Sequence, residues 1–512
     1  MASVNNERIA KNTILLYIRM FVLMAVSLYT SRVILQVLGV EDYGTYNLVA
    51  GFVTLFSFIS NALISSTQRF FNVALGESDQ QKYKSVYSTS INIMIFFSVI
   101  ILLVGETLGL WFIKTQINVP TDRAYAAEWV FHISLLTFVV NIIRTTFNAS
   151  IIAHERMSFY AYTSIFEAIA RLGIVYCIQL VHWDKLITYA WLYFTVSLLM
   201  SIVNGWYCRH KFEECRYSAK PDKKCFKELL GFSSWALLGQ SAVVVRNQGE
   251  SILINRFFSV VANAALGVAN QVTGALDMFV SNFQTAFNPQ IVKTYASGEL
   301  YTHHLLVCRA SKFSYYLLFV LSLPILFNID IILEFWLSTV PSQTNYFCIF
   351  IILSHLINAL STPLNTSILA AGKIKNYQII CATIFVLGLI FSGVCLWSGC
   401  PAYTIAIVGI FVQVLLFINR LSYAVHQTKL NIKYFIKKVL YPILLVSICY
   451  VPITFLTSLY AEGIIMTILF IIFNVSCFCV LVYILGLDNN EKELVRRILS
   501  EILKLSRIKY YI

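Results

Sequence analysis

Long apolar runs separated by short polar punctuation recur along the whole chain. They lie near 12–37, 45–74, 87–112, 127–151, 159–181, 186–208, 230–256, 263–288, 310–336, 345–370, 378–397, 403–424, 439–458 and 463–486. A helix rising about 1.5 Å per residue needs roughly 20 such residues to cross a hydrocarbon core of about 30 Å. The pattern therefore predicts an all-α polytopic membrane protein with about fourteen transmembrane helices and no room for a soluble catalytic domain. Composition agrees: 58% of the 512 residues are hydrophobic and 12% charged, against about 25% charged in a soluble domain. The polar opening, MASVNNERIAKN, and the long apolar run after it do not resemble a cleavable signal peptide.

Charge sets the expected orientation. With the N-terminus inside, most Lys and Arg fall in inner loops, notably Arg209, Lys211, Arg216, Lys220, Lys223, Lys224 and Lys227, and again Lys429, Lys433, Lys437 and Lys438. Only Lys114, Arg123, Lys185 and Arg256 fall in outer ones. The bias predicts that both termini are cytoplasmic. The net charge of +13 is then a topology signal, and a nucleic-acid partner is not needed to explain it.

The first twelve spans read as two copies of one unit. A shift of 223 residues brings LGVEDYGTYNLV (38–49) onto VANAALGVANQV (261–272), matching Gly44 to Gly267 and Asn47 to Asn270. Farther on, ALGESDQQKYKSV (74–86) faces YASGELYTHHLLV (295–307). An even number of spans per copy makes the repeats parallel, an arrangement that transporters use to build two lobes around a central site. The expected organisation is an N-terminal six-helix lobe (1–208), a basic cytoplasmic linker (209–229), a C-terminal six-helix lobe (230–425), an extra helix pair (426–487) and a basic tail (488–512). In that tail Leu494, Val495, Ile498, Leu499, Ile502 and Leu505 recur at helical spacing among Arg496, Arg497, Lys504, Arg507 and Lys509. This predicts an amphipathic helix on anionic lipid.

Ionisable residues within spans carry most of the functional information, because each costs several kcal/mol in hydrocarbon. Arg19 and Arg32 fall on span 1, Arg144 on span 4, Glu167 and Arg171 on span 5, Arg246 and Glu250 on span 7, and Asp277 on span 8. Arg69, Glu106, Arg256 and Arg420 lie near span ends and are expected to reach the headgroups. Glu167 and Arg171, like Arg246 and Glu250, are spaced for i,i+4 ion pairs. Each pair is either a structural lock or part of a site. Asp277 has no partner on its own helix, so it pairs with a cation on another span or takes up a proton or Na⁺. Spans 7 and 8 also carry Asn247, Gln248, Ser251, Asn255, Asn270, Gln271, Asn282 and Gln284. Together these predict a hydrated cavity with more Arg than acid, suited to an anionic substrate.

No P-loop, HExxH or GxSxG in a suitable context occurs, so neither a cofactor nor a metal is expected, and energy would come from an H⁺, Na⁺ or substrate gradient. His132 and His355 fall within spans, each either a proton relay or, as expected of a bundle-facing residue, a hydrogen-bonded structural histidine. Cys208, Cys215 and Cys225 share one loop at spacings that match no zinc site and are expected to be free thiols. Whether Cys395 and Cys400 pair stays open.

The segment NTILLYIRMFVLMAVSLYTSRVILQVLGVEDYGTYNLV resembles the start of bacterial polysaccharide-unit flippases. In these a first span ends in an Arg before an "lGxxdyGxy" turn, here Leu38-Gly39-Val40-Glu41-Asp42-Tyr43-Gly44-Thr45-Tyr46. The resemblance extends over the whole topology and reaches a superfamily that also holds MATE drug exporters and the peptidoglycan lipid flippase. It implies a two-lobe, alternating-access transporter in the bacterial inner membrane. The implied substrate is an undecaprenyl-pyrophosphate-linked oligosaccharide for lipopolysaccharide (O-antigen) or capsule, flipped from the cytoplasmic to the outer leaflet. On that reading Arg19, Arg32, Arg144, Arg171 and Arg246 hold the pyrophosphate, while Asp277, Glu250 and Glu167 are coupling or ion-pair candidates. The partners implied are membrane lipids, a polysaccharide polymerase and glycosyltransferases. Two rivals differ in what they require: a MATE-type cation exporter needs an acidic cavity, and a membrane enzyme needs a larger loop than the fourteen or so residues near 113–126.

Overall fold

The computed structural model describes residues 2–54, 56–111, 115, 123–180, 182–218, 222–258, 260–337, 340–461, 463–493 and 495–496. The chain is all-α. In order it forms α1 (Ala2–Thr54), α2 (Ser57–Gly76), α3 (Gln80–Gly109), α4 (Ala124–Ala153), α5 (Met157–Ile178), α6 (Lys185–Lys211), α7 (Lys223–Phe257) and α8 (Val260–Ala296). There follow α9 (Leu300–Phe327), the short α10 (Ile329–Trp336), α11 (Thr344–Ala371), α12 (Lys375–Trp397), α13 (Thr404–Thr428), α14 (Ile432–Ser458) and α15 (Gly463–Gly486). Among the described residues, 11 helices are long and apolar enough to cross a membrane. Of the three other long helices, α2 and α8 are diluted by Asn, Gln, Ser and Thr, as expected of helices that face other protein rather than lipid, while α1 carries the apolar stretch Asn12–Ser27.

Most expected boundaries hold within several residues, with two corrections: the span expected at 310–336 begins at Leu300 and breaks at Asn328 into α9 and α10, and the first two spans do not divide where expected. Spans 12–37 and 45–74 are not divided by a turn at 38–49: α1 runs unbroken to Thr54 and α2 begins at Ser57. Gly39, Gly44 and Gly51 each cost a helix only about 1 kcal/mol, and no proline interrupts the backbone ladder. The tail helix expected over 489–512 begins at Asn489, but residues 497–512 lie outside the described residues.

Two compact units emerge. The first comprises Met1–Gln248, Ser281–Leu306 and Asn365–Leu387, the second Gly249–Val280, Val307–Leu364 and Gly388–Ile512. In the first unit α4 packs along α6, and α1 along α5. A buried core runs through Phe71, Tyr83, Ile93, Met94, Phe131 and Leu135. The basic stretch after α6 is not a free tether. Phe212 stacks on His154 with ring centroids 3.8 Å apart, His154 Nε2 lies 2.8 Å from Glu214, and Cys215 Sγ lies 3.2 Å from Ser150 Oγ. Asp222 then caps α7 through the amides of Lys224 and Cys225 and accepts from Ser85 Oγ at 2.7 Å. These bonds hold the Asp222 carboxyl below the usual carboxylate range, the Ser85 hydroxyl foremost.

Still within the first unit, α2 meets the last turns of α8 and α11. A Cβ on Gly76 would sit 2.7 Å from the Lys293 carbonyl oxygen and 2.8 Å from Ala296 Cβ, so only glycine allows this approach. Arg69 donates from Nε to the Leu369 carbonyl at 2.6 Å and from Nη2 to Ala370 at 3.3 Å. Its guanidinium lies 4.8 Å from each of the Phe70 and Phe232 rings. Its charge thus caps α11, where a cation is favoured, rather than reaching to headgroups. Helices α2, α4, α8 and α11 each end on a left-handed residue, Ser78, Glu155, Gly298 and Gly372. In the second unit, α14 and α15 dock on α9 through Tyr450, Phe478 and Phe319. Lys312 there donates to Glu491 at 2.5 Å and to the Gly486 carbonyl at 3.1 Å.

Candidate functional site

A cavity of about 460 Å³ opens in the first unit among α1, α4, α5 and α6. Three of the five arginines singled out from sequence line it, Arg19, Arg144 and Arg171, together with Glu167. Helical spacing sets Glu167 and Arg171 on one face of α5, and the packing of α4 brings Arg144 to the same carboxylate. Each oxygen of Glu167 holds one guanidinium: Oε1 accepts from Arg171 Nη2 at 2.5 Å, and Oε2 from Arg144 Nη1 at 3.0 Å. Arg144 and Glu167 each expose 14% of their side chains, and Arg171 31%. The i,i+4 pair expected on α5 is therefore present, but it is shared with a third residue and is not neutral. Three guanidiniums against one carboxylate leave the lining with two excess positive charges.

The arginines are braced on their flat faces. Arg19 stands 4.5 Å over the Tyr160 ring, and Arg171 4.3 Å over that of Tyr193. Arg19 also reaches Tyr160 Oη at 3.4 Å and Asn282 Oδ1 at 3.5 Å. Among the described residues, the buried Nε groups of Arg19 and Arg171 have no hydrogen-bond acceptor. Buried donors of this kind are costly unless a ligand completes them. The remainder of the lining is mixed: Ser27, Thr30, Thr163 and Ser164 stand beside Asn148, which accepts from Asn204 at 2.8 Å, and Leu23, Val26, Ile34 and Met200 supply apolar surface.

The other expected residues fall elsewhere. Arg246 is not in this lining; its guanidinium carbon lies 5.7 Å from the Phe385 ring, between α7 and α12. Glu250 lies one turn farther along α7, in the second unit. Arg32 lies on α1, and its side chain is outside the described residues. Asp277 of α8 has a cross-helix partner that spacing could not reveal: His355 Nδ1 on α11 lies 2.6 Å from its Oδ2. Arg420, expected at the headgroups, instead donates to Asn358 Oδ1 at 2.9 Å and Ser361 Oγ at 2.5 Å. His132 lies 2.9 Å from Glu106. Among the described residues no cysteine forms a disulfide, Cys395 and Cys400 included.

Sequence reasoning missed one cluster. Asp42, inside the Leu38–Tyr46 motif, is buried and paired with Arg123, whose Nη1 also meets Asp184 Oδ2 at 2.7 Å. Asp184 in turn caps α6 through the amides of Leu186 and Ile187. The acidic residue of the motif therefore ties α1 to the starts of α4 and α6, the three helices that carry much of the cavity.

Comparison with known proteins decides the family. Residues 9–295 match the model of the "Polysaccharide biosynthesis protein" family. The chain belongs to that family. A curated relative, the uncharacterized membrane protein EpsK of Bacillus subtilis (strain 168), is 21% identical over 282 residues, 54% of this chain and 54% of EpsK. The match thus spans about half the length of that relative. Solved structures share the fold at low identity. A MATE transporter in complex with MaD3S superposes with a TM-score of 0.72 at 10% identity, over 83% of this chain and 97% of that one. An outward-facing MATE multidrug-resistance transporter of the MOP superfamily gives 0.67 at 12%, covering 83% and 94%. A MOP-superfamily transporter from Pyrococcus furiosus with a binding pocket of reversed polarity gives 0.64 at 11%, covering 83% and 96%. This polysaccharide biosynthesis protein is thus a multi-pass membrane protein with the fold of MOP-superfamily transporters.

Proposed function

We propose that this family member is a flippase carrying an undecaprenyl-pyrophosphate-linked oligosaccharide from the cytoplasmic to the outer leaflet, where it feeds synthesis of lipopolysaccharide O-antigen or capsule. The observation that carries this reading is the sign of the cavity: Arg19, Arg144 and Arg171 around a single carboxylate. A pyrophosphate diester carries about two negative charges, which balance the two excess positive ones. Guanidinium forks give phosphate oxygens paired, charge-assisted hydrogen bonds. The hydroxyl and amide lining suits sugar, while the polyprenyl tail stays in the bilayer.

The transport cycle alternates access between two six-helix lobes, 1–208 and 230–425, with both termini and the 209–229 linker in the cytoplasm. Asp277 with His355 is the pair best placed to couple an H⁺ or Na⁺ gradient, since its two members face each other across helices. A polymerase and glycosyltransferases are the partners that supply and consume the substrate. A cation exporter would need the opposite cavity sign.

Deleting the chain's gene in its host tests the proposal. Lipid-linked sugar units should accumulate on the cytoplasmic leaflet and surface polysaccharide should be lost, both restored by the wild-type chain. A deletion strain that keeps its surface glycan but becomes drug-sensitive overturns the reading.

A further inference from the structure

Within the cavity, Glu167 does to the arginines what a phosphate would do. Its two oxygens take one N–H each from Arg144 and Arg171, at 3.0 and 2.5 Å, and the carboxylate and both guanidiniums line the same space. Three tyrosines complete its surroundings: Tyr160 on α5, and Tyr189 and Tyr193 on α6. Arg19 on α1 is the lining's remaining cation. Guanidinium hydrogen bonds to carboxylate and to phosphate share one geometry, so a phosphate oxygen and Glu167 cannot both occupy the same N–H groups.

We propose that Glu167 is a resident competitor for the phosphate site. In the loaded transporter the substrate's phosphates hold Arg144 and Arg171. When the substrate leaves, the carboxylate retakes both guanidiniums, so this pair of half-buried charges is not left bare. Glu167 thereby weakens binding and speeds release, keeping a doubly anionic ligand from becoming trapped on three arginines. A residue that only clamped the arginines in place would strengthen binding, so the two roles differ in sign. The inference rests on the assignment of the cavity to a pyrophosphate-bearing lipid.

The test uses the purified full-length chain in detergent with undecaprenyl pyrophosphate as the probe, displaced by inorganic pyrophosphate. Glu167→Gln should bind at least tenfold more tightly than wild type, while export in cells falls. Because the single variant leaves two half-buried guanidiniums without this counter-charge and could fail to fold, a charge-matched comparison accompanies it. Arg171→Gln keeps Glu167 on Arg144, whereas the double variant Glu167→Gln/Arg171→Gln frees Arg144. The double variant should bind the probe more tightly than Arg171→Gln alone. Equal or weaker binding in the double variant, with wild type binding the probe, refutes the competitor role and leaves the cavity assignment standing. Absence of probe binding in wild type and in every variant refutes the assignment itself, and the competitor role with it.

Discussion

Glu155 offers a test in which the usual ranking of substitutions is reversed. It sits just after α4 at φ 57, a left-handed conformation that costs an L-residue about 1–2 kcal/mol and that glycine adopts freely. Its buried carboxylate accepts from Gln290 Nε2 at 2.6 Å and from Lys293 Nζ at 2.7 Å. Breaking a buried pair by removing one partner costs about 3–5 kcal/mol. Lys293 keeps 20% of its side chain exposed, so the lower end, about 3 kcal/mol, applies. Glu155→Ala loses the carboxylate and keeps the backbone strain. Glu155→Gly loses the same carboxylate and relieves the strain, offset by about 0.5–1 kcal/mol of extra freedom in the unfolded chain. Glycine should therefore be the milder change by about 0.5–1 kcal/mol, although alanine is milder at ordinary helical positions. Adding Lys293→Met to Glu155→Gly should cost less than the sum of the two single losses, because both singles break the same contact. Unfolding of the purified protein by graded SDS measures all three. Alanine matching or exceeding glycine would refute the argument from backbone strain, and both singles lying close to wild type would refute the anchoring role of the carboxylate.

Other consequences follow from the same geometry. Arg19→Ala should reduce polysaccharide export far more than Arg246→Ala, because Arg246 stands against Phe385 outside the cavity lining; an export assay in the deletion strain ranks them. Asp277→Asn and His355→Gln should each impair gradient-driven transport, with the double variant little worse than either single, since the two groups share one contact; additive losses would show independent roles. The Cys215 thiol, raised to about 12 by burial, should resist maleimide at neutral pH in the folded protein and react after unfolding. Lowering the pH through the depressed range of Asp222 should protonate the carboxylate and weaken its cap on α7, because its contribution is present above the unfolded pKa and lost below the folded one. Faster proteolysis within 209–228 at acid pH would register the change.

How much was legible in advance depended on whether the partners lay on one helix. Boundaries such as 463–486 follow from hydropathy alone and recur in α15. The Glu167–Arg171 contact follows from a spacing of four. The third member, Arg144, was recognisable as costly in hydrocarbon but not as a partner, because its position depends on how α4 packs beside α5. Asp277 and His355 were each conspicuous, yet a sequence separation of 78 hides their meeting. The glycines at 39 and 44 suggested a turn and did not form one, since in a long helix the neighbouring hydrogen bonds outweigh their modest cost. Arg69 and Arg420 were expected at headgroups because charge near a span end favours that solution. Carbonyls at the end of α11 and side-chain oxygens within it served them instead, and only the fold places those acceptors within reach.

The central claim is that the cationic cavity holds the pyrophosphate during translocation, and a variant that keeps the net charge of the lining constant tests it. Arg144→Gln/Glu167→Gln removes one positive and one negative charge together, preserving the net charge of the lining while deleting one of its guanidinium forks. The wild type and this variant are reconstituted into vesicles carrying an undecaprenyl-pyrophosphate-linked oligosaccharide, and the sugar reaching the opposite leaflet is measured with a membrane-impermeant lectin or hydrolase. The variant should insert and fold like wild type, and its rate of sugar transfer should fall at least tenfold. Transfer at the wild-type rate by the folded double variant would contradict the assignment of this cavity to the pyrophosphate.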